Sequence, residues 1–318
     1  MATKRHQGIH AHPSIYRFFT ADVFTDQLFG GNQLAVFPDA SAIPERHLLD
    51  IAREFNFSET TFVYPPADSR NTRRVRIFTP GGEIPFAGHP TVGTAHALAT
   101  IGEIPLGGGE ARVLFEEGVG VVPVTVRGRE RAPEFAQLTT AIVPEALEPP
   151  RPEPPVLAAT LSLRTDDLVL GDWMPSPVSS GIPFLFVPVR TRDAVRRARV
   201  RMDLWDTWLR GSPSSEIMVF AMDAEHAGHD VRARVFVPGL DIPEDPATGS
   251  ACASLARYLA DRDARADGTL RWTVEQGFEM GRPSLIEAEA DKMAGRVTQV
   301  RVGGKSVMMG EGTLTVPD

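Results

Sequence analysis

The chain contains one short segment twice, about half its length apart. Residues 74–85 read RVRIFTPGGEIP and residues 232–243 read RARVFVPGLDIP, an offset of 158 in a chain of 318 residues. A repeat with this spacing predicts two similar domains that face each other. A site between the domains would be lined by one repeat-related corner from each, equivalent in position but different in side-chain chemistry. Seven of the twelve aligned pairs are identical: Arg74/Arg232, Arg76/Arg234, Phe78/Phe236, Pro80/Pro238, Gly81/Gly239, Ile84/Ile242 and Pro85/Pro243.

A helix of small and apolar residues follows each copy of the repeat, at 90–101 and at 251–262. The first predicted helix is apolar on nearly every side, which is typical of a buried helix, and we interpret the second as its buried counterpart. The rest of each half reads as many short strands with alternating or β-branched character. We therefore predict an α+β fold with two pseudo-symmetric domains, each a β-barrel wrapped around a central helix, and with the active site in the cleft between them.

A proline-rich segment near the middle of the chain separates the two halves. Residues 144–156 contain six prolines in thirteen positions, so we expect neither a helix nor a central strand there. The predicted domains are 14–143 and 157–318, allowing for a terminal strand that returns to the first domain. Residues 1–13, which include three histidines, are expected to form a loose terminal tail.

The composition excludes several classes of protein. Hydrophobic residues make up 42% and charged residues 23%, as in ordinary globular proteins. The net charge of −8 disfavours nucleic acid as a partner. No apolar run approaches the ~20 residues that span a bilayer, and the N-terminus lacks the apolar core of a signal peptide. We therefore expect a cytoplasmic protein that does not bind membranes.

The single cysteine and the few lysines narrow the chemistry further. Cys252 is the only cysteine, which rules out an intrachain disulfide, a cysteine metal cage and a two-thiol racemase within one chain. The three lysines lie in no context typical of a Schiff-base enzyme. We expect no organic cofactor.

Both predicted helices begin with residues suited to binding an anion. Gly88, His89 and Pro90 open the first helix, and Thr248-Gly249-Ser250 opens the second at the matching place. Free backbone N–H groups and the helix dipole favour negative charge at such ends. The alternative is that these are ordinary caps and turns. Their pairing by the repeat favours a shared site for a small carboxylate.

Three side chains are candidates for acid–base catalysis. Glu59 lies between Phe57 and Phe62, and burial there would raise its pKa toward neutrality. His89 has an ordinary pKa of ~6.5 and could move a proton. Asp245 falls opposite Ala87 when the copies are aligned without a gap. The alternatives are a solvent-facing Glu59 on an alternating strand, a histidine bonded to backbone, and a turn carboxylate.

No metal site is predicted. His226 and His229 lie in a polar loop beside acidic residues, which we interpret as a solvated turn. Glu244 and Asp245 are adjacent carboxylates, but no further ligand stands at a suitable spacing near them.

Three motifs in order, SETTF, GHPT and EDPATGSA, resemble the PhzF-like family, which is named for phenazine biosynthesis. That family is similar in fold to diaminopimelate epimerase, which has two pseudo-symmetric barrels and a cysteine from each half. This chain departs from the two-cysteine pattern. The resembling segments are DVFTDQLFGGNQLAVF at 22–37, FNFSETTFV at 55–63, RIFTPGGEIPFAGHPTVGTA at 76–95, VFVPGLDIPEDPATGSA at 235–251 and QGFEMGRPS at 276–284.

The resemblance implies an isomerase that shifts a proton on a dihydro-hydroxyanthranilate-type carboxylate without a cofactor. Glu59 would be the general acid/base, assisted by His89 and Asp245. The substrate carboxylate would bind backbone N–H groups near Gly88 and at Thr248–Ser250. The resemblance also implies a homodimer.

Two alternatives stay open. One is an epimerase of an amino-acid derivative, with Glu59 opposed by Asp245 or His89 as the second base. The other is a non-catalytic relative that binds a small molecule or a protein. Glu59 has no evident counterpart in the second half, and this asymmetry favours a one-directional proton shift.

Overall fold

The computed structural model describes residues 14–148, 152–240 and 242–317. The predicted tail at 1–13 and part of the predicted linker, 149–151, lie outside these residues. Within them, no helix combines the length and apolarity needed to cross a membrane.

The first half consists of eight strands and two helices. Strands alternate with turns up to the apolar helix α2, and three more strands follow it. The elements are β1 (Ser14–Val23), β2 (Asn32–Phe37), α1 (Leu48–Phe55), β3 (Glu59–Tyr64), β4 (Arg73–Thr79), β5 (Gly82–Ile84), α2 (Gly88–Ile101), β6 (Glu110–Glu117), β7 (Gly120–Arg129) and β8 (Ala132–Thr139).

The second half repeats this order with two additional α-helices and two additional strands. The elements are β9 (Glu145–Ala146), α3 (Pro154–Thr160), β10 (Ser176–Ser179), β11 (Pro183–Pro188), α4 (Arg192–Arg197), α5 (Met202–Trp208), β12 (Glu216–Ala221), β13 (Val231–Val237), β14 (Ile242–Asp245), α6 (Gly249–Ala260), β15 (Gly268–Gln276), β16 (Ser284–Met293), β17 (Arg296–Gly304) and β18 (Ser306–Val316).

Strand pairing follows the same scheme in both halves. In the first half β2 pairs in parallel with β3, β3 runs antiparallel to β4, and β4 pairs in parallel with β6, which continues through β7 to β8. In the second half β11, β12, β13, β15, β16 and β17 are paired in the same sequence of directions. The predicted α+β fold with internal pseudo-symmetry is confirmed.

The two halves are joined through their strands. The end of β17 pairs with β8, and β18, the last strand, runs antiparallel to β1 along its whole length. The C-terminal strand of the chain therefore belongs to the sheet of the first half.

The helices α2 and α6 form the centre of the core. Every residue from Gly88 to Ala99 is buried, and only Arg257 of α6 is not. Helix α2 packs against β1, β2, β7 and β8, whereas α6 packs against β10, β11, β16 and β17. Most side chains of α2 are small, which lets the strands approach it closely on all sides, whereas α6 also contains the large, fully buried Tyr258.

The predicted linker is shorter than expected. Pro154 and Pro155 form the first turn of α3, which continues to Thr160. Proline is accepted in the first turn of a helix because the N–H groups there have no intrahelical partner. The density of prolines therefore did not exclude a helix that begins with them.

Glu117, the last residue of β6, is a buried carboxyl beside α2. Its Oε1 accepts a hydrogen bond from Thr91 Oγ1 at 2.7 Å, while Oε2 has no partner among the described residues. Burial raises the pKa of Glu117 to about 8, against the opposing effect of the Thr91 hydrogen bond. The folded protein therefore holds this carboxyl in its neutral form at pH 7.

We expect Glu117→Gln to make the protein less sensitive to alkaline pH. Because the pKa is raised, the folded state keeps a proton that the unfolded state releases, so wild-type stability falls between the ordinary pKa of 4.5 and about 8. Relative to wild type, the variant should gain on the order of 3 kcal/mol between pH 5.5 and pH 8.5. Urea denaturation at both pH values measures this difference, and an equal pH dependence in the two proteins would contradict it.

Candidate active site

The N-termini of the two central helices contact each other through glycine. A Cβ placed on Gly88 would lie 2.6 Å from Gly249 Cα, and one on Gly249 would lie 2.9 Å from Gly88 Cα. No side chain fits in this contact, because the neighbouring atoms are backbone. The two corners that the repeat predicts thus meet at one point.

Neither helix start is capped by a side chain. Ala87 occupies the N-cap position of α2 and has no polar atom to offer. Thr248 occupies the N-cap position of α6, but its hydroxyl donates to Asp245 Oδ2 at 2.5 Å and does not cap the helix. The first N–H groups of a helix have no intrahelical acceptor, so both ends keep donors for an anion.

The copies of the repeat do not stay aligned as far as the helices. Pro85 stands three residues before Gly88, whereas Pro243 stands six residues before Gly249. Ala87 therefore corresponds to Thr248 and not to Asp245, as the gapless alignment had it. The second copy is longer by three residues here, and Asp245 lies in this longer connection.

Asp245 is a buried carboxylate held by several donors. Its Oδ1 accepts from Asn32 Nδ2 at 2.8 Å and from Ser58 Oγ at 3.3 Å, and Oδ2 accepts from Thr248. Gln276 Nε2 donates to the Asp245 carbonyl at 2.7 Å. Burial raises the pKa of Asp245 to about 6, and these side-chain donors work in the opposite direction. Asp245 is therefore mainly ionised at neutral pH.

The side chains of Glu59 and His89 lie next to each other. Glu59 Oε2 is 3.3 Å from His89 Nε2, and neither atom has a hydrogen bond in the described part of the chain. The Glu59 side chain is 13% exposed, so it does not face solvent as the alternating-strand alternative required. Burial, followed by the charge of Asp245, raises the pKa of Glu59 well above its ordinary value.

His89 is neutral in this environment. Burial lowers its pKa to about 3, and a hydrogen bond with the backbone of Gln33 only partly opposes this. Asn32 Nδ2 lies 3.2 Å from His89 Nδ1, so the same amide contacts both His89 and Asp245. The cluster thus combines a carboxyl with a raised pKa, a neutral imidazole and a mainly ionised carboxylate.

The structure brings all the predicted site residues to one cluster at the two helix ends: Glu59, Gly88, His89, Asp245, Thr248, Gly249 and Ser250. Sequence reasoning missed Asn32, Ser58 and Gln276, which hold Asp245. All three lie within the segments that resemble the PhzF-like family. That resemblance was the one feature of the sequence that could have identified them as site residues.

The single cysteine and the two loop histidines noted in the sequence do not belong to this cluster. Cys252 is buried inside α6, and burial together with the charge of Asp245 raises the pKa of its thiol, so no thiolate forms at neutral pH. His226 and His229 lie away from this cluster and both contact Glu275, a buried residue of β15 that the sequence had not linked to them.

Comparison with known proteins shows the family. The model of the PhzC-PhzF family, described as phenazine biosynthesis-like protein, matches residues 21–312. A solved structure of a PhzF-family phenazine biosynthesis protein from Bacillus anthracis has a TM-score of 0.83 and 25% identity, and covers 95% of this chain and 99% of that one.

Several similar proteins of known sequence are named isomerases. An uncharacterised isomerase of Mesorhizobium japonicum is 36% identical over 302 residues, covering 93% of this chain and 97% of that protein. Trans-2,3-dihydro-3-hydroxyanthranilate isomerase of Pseudomonas fluorescens is 31% identical over 303 residues, covering 95% and 100%. The chain therefore belongs to the PhzC-PhzF family of phenazine biosynthesis-like proteins, and it is an isomerase.

Proposed function

We propose that this isomerase shifts a proton between two carbons of a small, cyclic, amino- or hydroxy-substituted carboxylate, with Glu59 as the general acid/base. The observation that carries the proposal is the pair of Glu59 Oε2 and His89 Nε2, 3.3 Å apart and otherwise unpartnered. The similar Pseudomonas protein named for trans-2,3-dihydro-3-hydroxyanthranilate supports this class of substrate.

A proton shift needs one group that can both take and return a proton. The raised pKa of Glu59 makes its carboxylate a stronger base than an exposed glutamate, which suits such a role. Glu59 as carboxylate takes a proton from one carbon, the electron pair moves through the conjugated system, and the proton is returned to another carbon. No atom is gained or lost, so no co-reactant is required.

His89 and Asp245 have supporting roles in this proposal. The neutral imidazole of His89 can hold the Glu59 carboxyl in place across the 3.3 Å contact while that carboxyl takes and returns a proton. Asp245, fixed by its donors, keeps a negative charge near Glu59 and so favours the protonated form of that carboxyl. Because their environments differ, Glu59 would transfer the proton while Asp245 would remain charged and adjust the pKa of Glu59.

The uncapped helix ends provide the anchor for the substrate carboxylate. Backbone N–H groups of the first turns at Gly88 and at Gly249–Ser250 would bind its oxygens, with the two helix dipoles adding to the attraction. His89 and Asp245 are 3% and 7% exposed, so reacting atoms beside them would be shielded from water.

Deuterium exchange tests the proposed reaction. We expect the wild type in D2O to place one deuterium on a ring carbon of a dihydro-hydroxyanthranilate-type substrate, as followed by NMR. A panel of amino-acid carboxylates serves for comparison. Exchange at the α-carbon of amino acids with inversion would favour the epimerase alternative, and exchange with no member of either panel would overturn the proposal in favour of a binding protein.

Asp245→Asn is expected to shift the pH dependence of the reaction. Removing the negative charge of Asp245 removes one of the two causes that raise the pKa of Glu59. The acid limb of the kcat/KM profile should therefore move to lower pH by about one unit or more. Profiles of exchange rate between pH 4 and pH 9 measure the shift; a limb that stays in place would separate Asp245 from the titration of Glu59.

A further inference from the structure

Each half of the molecule contains a carboxylate near the end of a strand that holds a loop, and we call this arrangement the carboxylate clamp. In the first half Glu116 accepts hydrogen bonds from the backbone N–H groups of Ala67 and Asp68, both at 2.8 Å. Its Oε1 also accepts from Asn71 Nδ2 at 2.8 Å. Three donors therefore tie this loop to the end of β6.

The clamp of the second half uses Glu275 at the equivalent place. Arg74 pairs with Glu116 across the parallel strands, and Arg232 pairs with Glu275 in the same way. Glu275 accepts from the backbone N–H groups of Glu225 at 2.8 Å and His226 at 2.9 Å. The backbone part of the clamp is thus the same in both halves.

The two clamps differ in their side chains. At the repeat offset of 158, Asp68 corresponds to His226 and Asn71 to His229. The Asp68 carboxylate binds Arg70 and makes no hydrogen bond to Glu116. Both imidazoles, in contrast, point at one atom: His226 Nδ1 and His229 Nδ1 each lie 2.8 Å from Glu275 Oε1. The first clamp holds its loop with one side-chain donor, Asn71, whereas the second has two imidazoles at the carboxylate.

These three side chains have the geometry of a metal-binding set. The two Nδ1 atoms and the carboxylate oxygen all lie within 4.8 Å of one another. Ligands of a tetrahedral zinc ion stand about 3.4 Å apart at metal–ligand distances of about 2.1 Å. The present 2.8 Å contacts need to lengthen by only about half an ångström, and each imidazole then carries its proton on Nε2.

The surroundings suit a divalent cation with an open coordination position. His226 and His229 line a cavity of about 530 Å³, whose wall also includes Asp26 and Phe278. The Arg232 guanidinium lies 3.6 Å from Glu275 Oε2, and it also pairs with Glu279 at 2.7 Å and Glu225 at 3.5 Å, so three carboxylates offset its charge. A water or a small ligand in the cavity can complete the coordination.

We propose that His226, His229 and Glu275 bind a divalent transition-metal ion of the zinc class. Two imidazoles and one carboxylate form a donor set that zinc accepts, whereas magnesium and calcium prefer oxygen donors throughout. This proposal is independent of the proposed reaction, since none of the three residues belongs to the Glu59 cluster. The ion would fasten the loop at 225–229 to β15, whose next residue, Gln276, holds Asp245.

Zinc titration of the untagged full-length protein tests the proposal, with a chromophoric zinc indicator as competitor. We expect one zinc ion per wild-type chain and an affinity at least about 100-fold weaker in His229→Asn, since even partners outside the ligand set cost ~10–100-fold. His229→Asn copies Asn71 of the first clamp and so keeps a donor to Glu275. Cobalt(II) should give the visible bands of a tetrahedral site in wild type and lose them in the variant.

A second variant separates this site from the histidines of residues 1–13. Replacing His6, His10 and His12 together by Gln should leave both the stoichiometry and the cobalt spectrum unchanged. Zinc binding that disappears in this triple variant, or that persists in His229→Asn, overturns the proposal. Should His229→Asn fail to fold, X-ray absorption of the zinc-loaded triple variant decides: a coordination shell with two imidazoles supports the site, and one without imidazole refutes it.

Discussion

Replacing Glu59 by Gln is expected to slow proton transfer by about 10²–10⁴-fold, which is the usual contribution of a general acid or base. Glutamine has nearly the same shape but neither takes nor returns a proton at neutral pH. The proposed contacts to the substrate carboxylate lie at the helix ends and not at Glu59, so KM should change little. Deuterium incorporation in D2O, followed by NMR under saturating substrate, measures the change in kcat.

Glu117→Gln provides a matched control for this experiment. Glu117 is also buried, also has a raised pKa and also has one oxygen without a partner, but it contacts Thr91 on α2 and not His89. We expect its exchange rate to stay within about threefold of wild type, since no reacting group is lost. Equal losses in both variants would mean that burying an amide, and not removing a base, slows the reaction; a Glu59→Gln enzyme as fast as wild type would remove Glu59 from the mechanism.

The repeat predicted most of the architecture because its information is local. Alternating residues mark strands such as β4 and β13, and the small apolar runs mark α2 and α6, whatever the rest of the chain does. Glu59, His89 and Asp245 could be selected because their immediate neighbours already indicate burial or a helix start. The resemblance to a family then connected segments that periodicity alone cannot connect.

The residues that sequence reasoning missed are defined by distant contacts. Asn32 and Asp245 are 213 positions apart, and Ser58 and Asp245 are 187 apart, yet both pairs are hydrogen bonded. The sequence around Asn32 is typical of a turn, and nothing in it indicates that the Asn32 side chain contacts two catalytic candidates, His89 and Asp245. Thr248 shows the opposite case: its position predicts a cap, but the neighbouring carboxylate takes its hydroxyl. Which of two possible hydrogen-bond partners a side chain takes depends on the folded structure, and the local sequence does not reveal it.

Gly88→Ala is expected to damage both stability and activity. The new Cβ would stand 2.6 Å from Gly249 Cα and 2.8 Å from Ser250 N, and backbone atoms cannot move aside as a flexible side chain can. Overpacking of this kind costs about 1–3 kcal/mol. It would also push apart the two helix ends that we propose as the substrate anchor, and a displacement of about 1 Å near reacting groups can cost ~10²-fold in rate. Urea denaturation and deuterium exchange measure the two effects.

Gly107→Ala is the matched control, because a Cβ there meets no atom within 4 Å. A surface change without new contacts should leave stability within about 0.5 kcal/mol and the exchange rate unchanged. A difference between the Gly88→Ala and Gly107→Ala variants then measures the effect of the contact between α2 and α6, because both variants replace a glycine by alanine. If Gly88→Ala unfolds at the wild-type urea midpoint and exchanges at the wild-type rate, the helix ends must separate in solution, and the glycine contact cannot be what sets the geometry of the anion site.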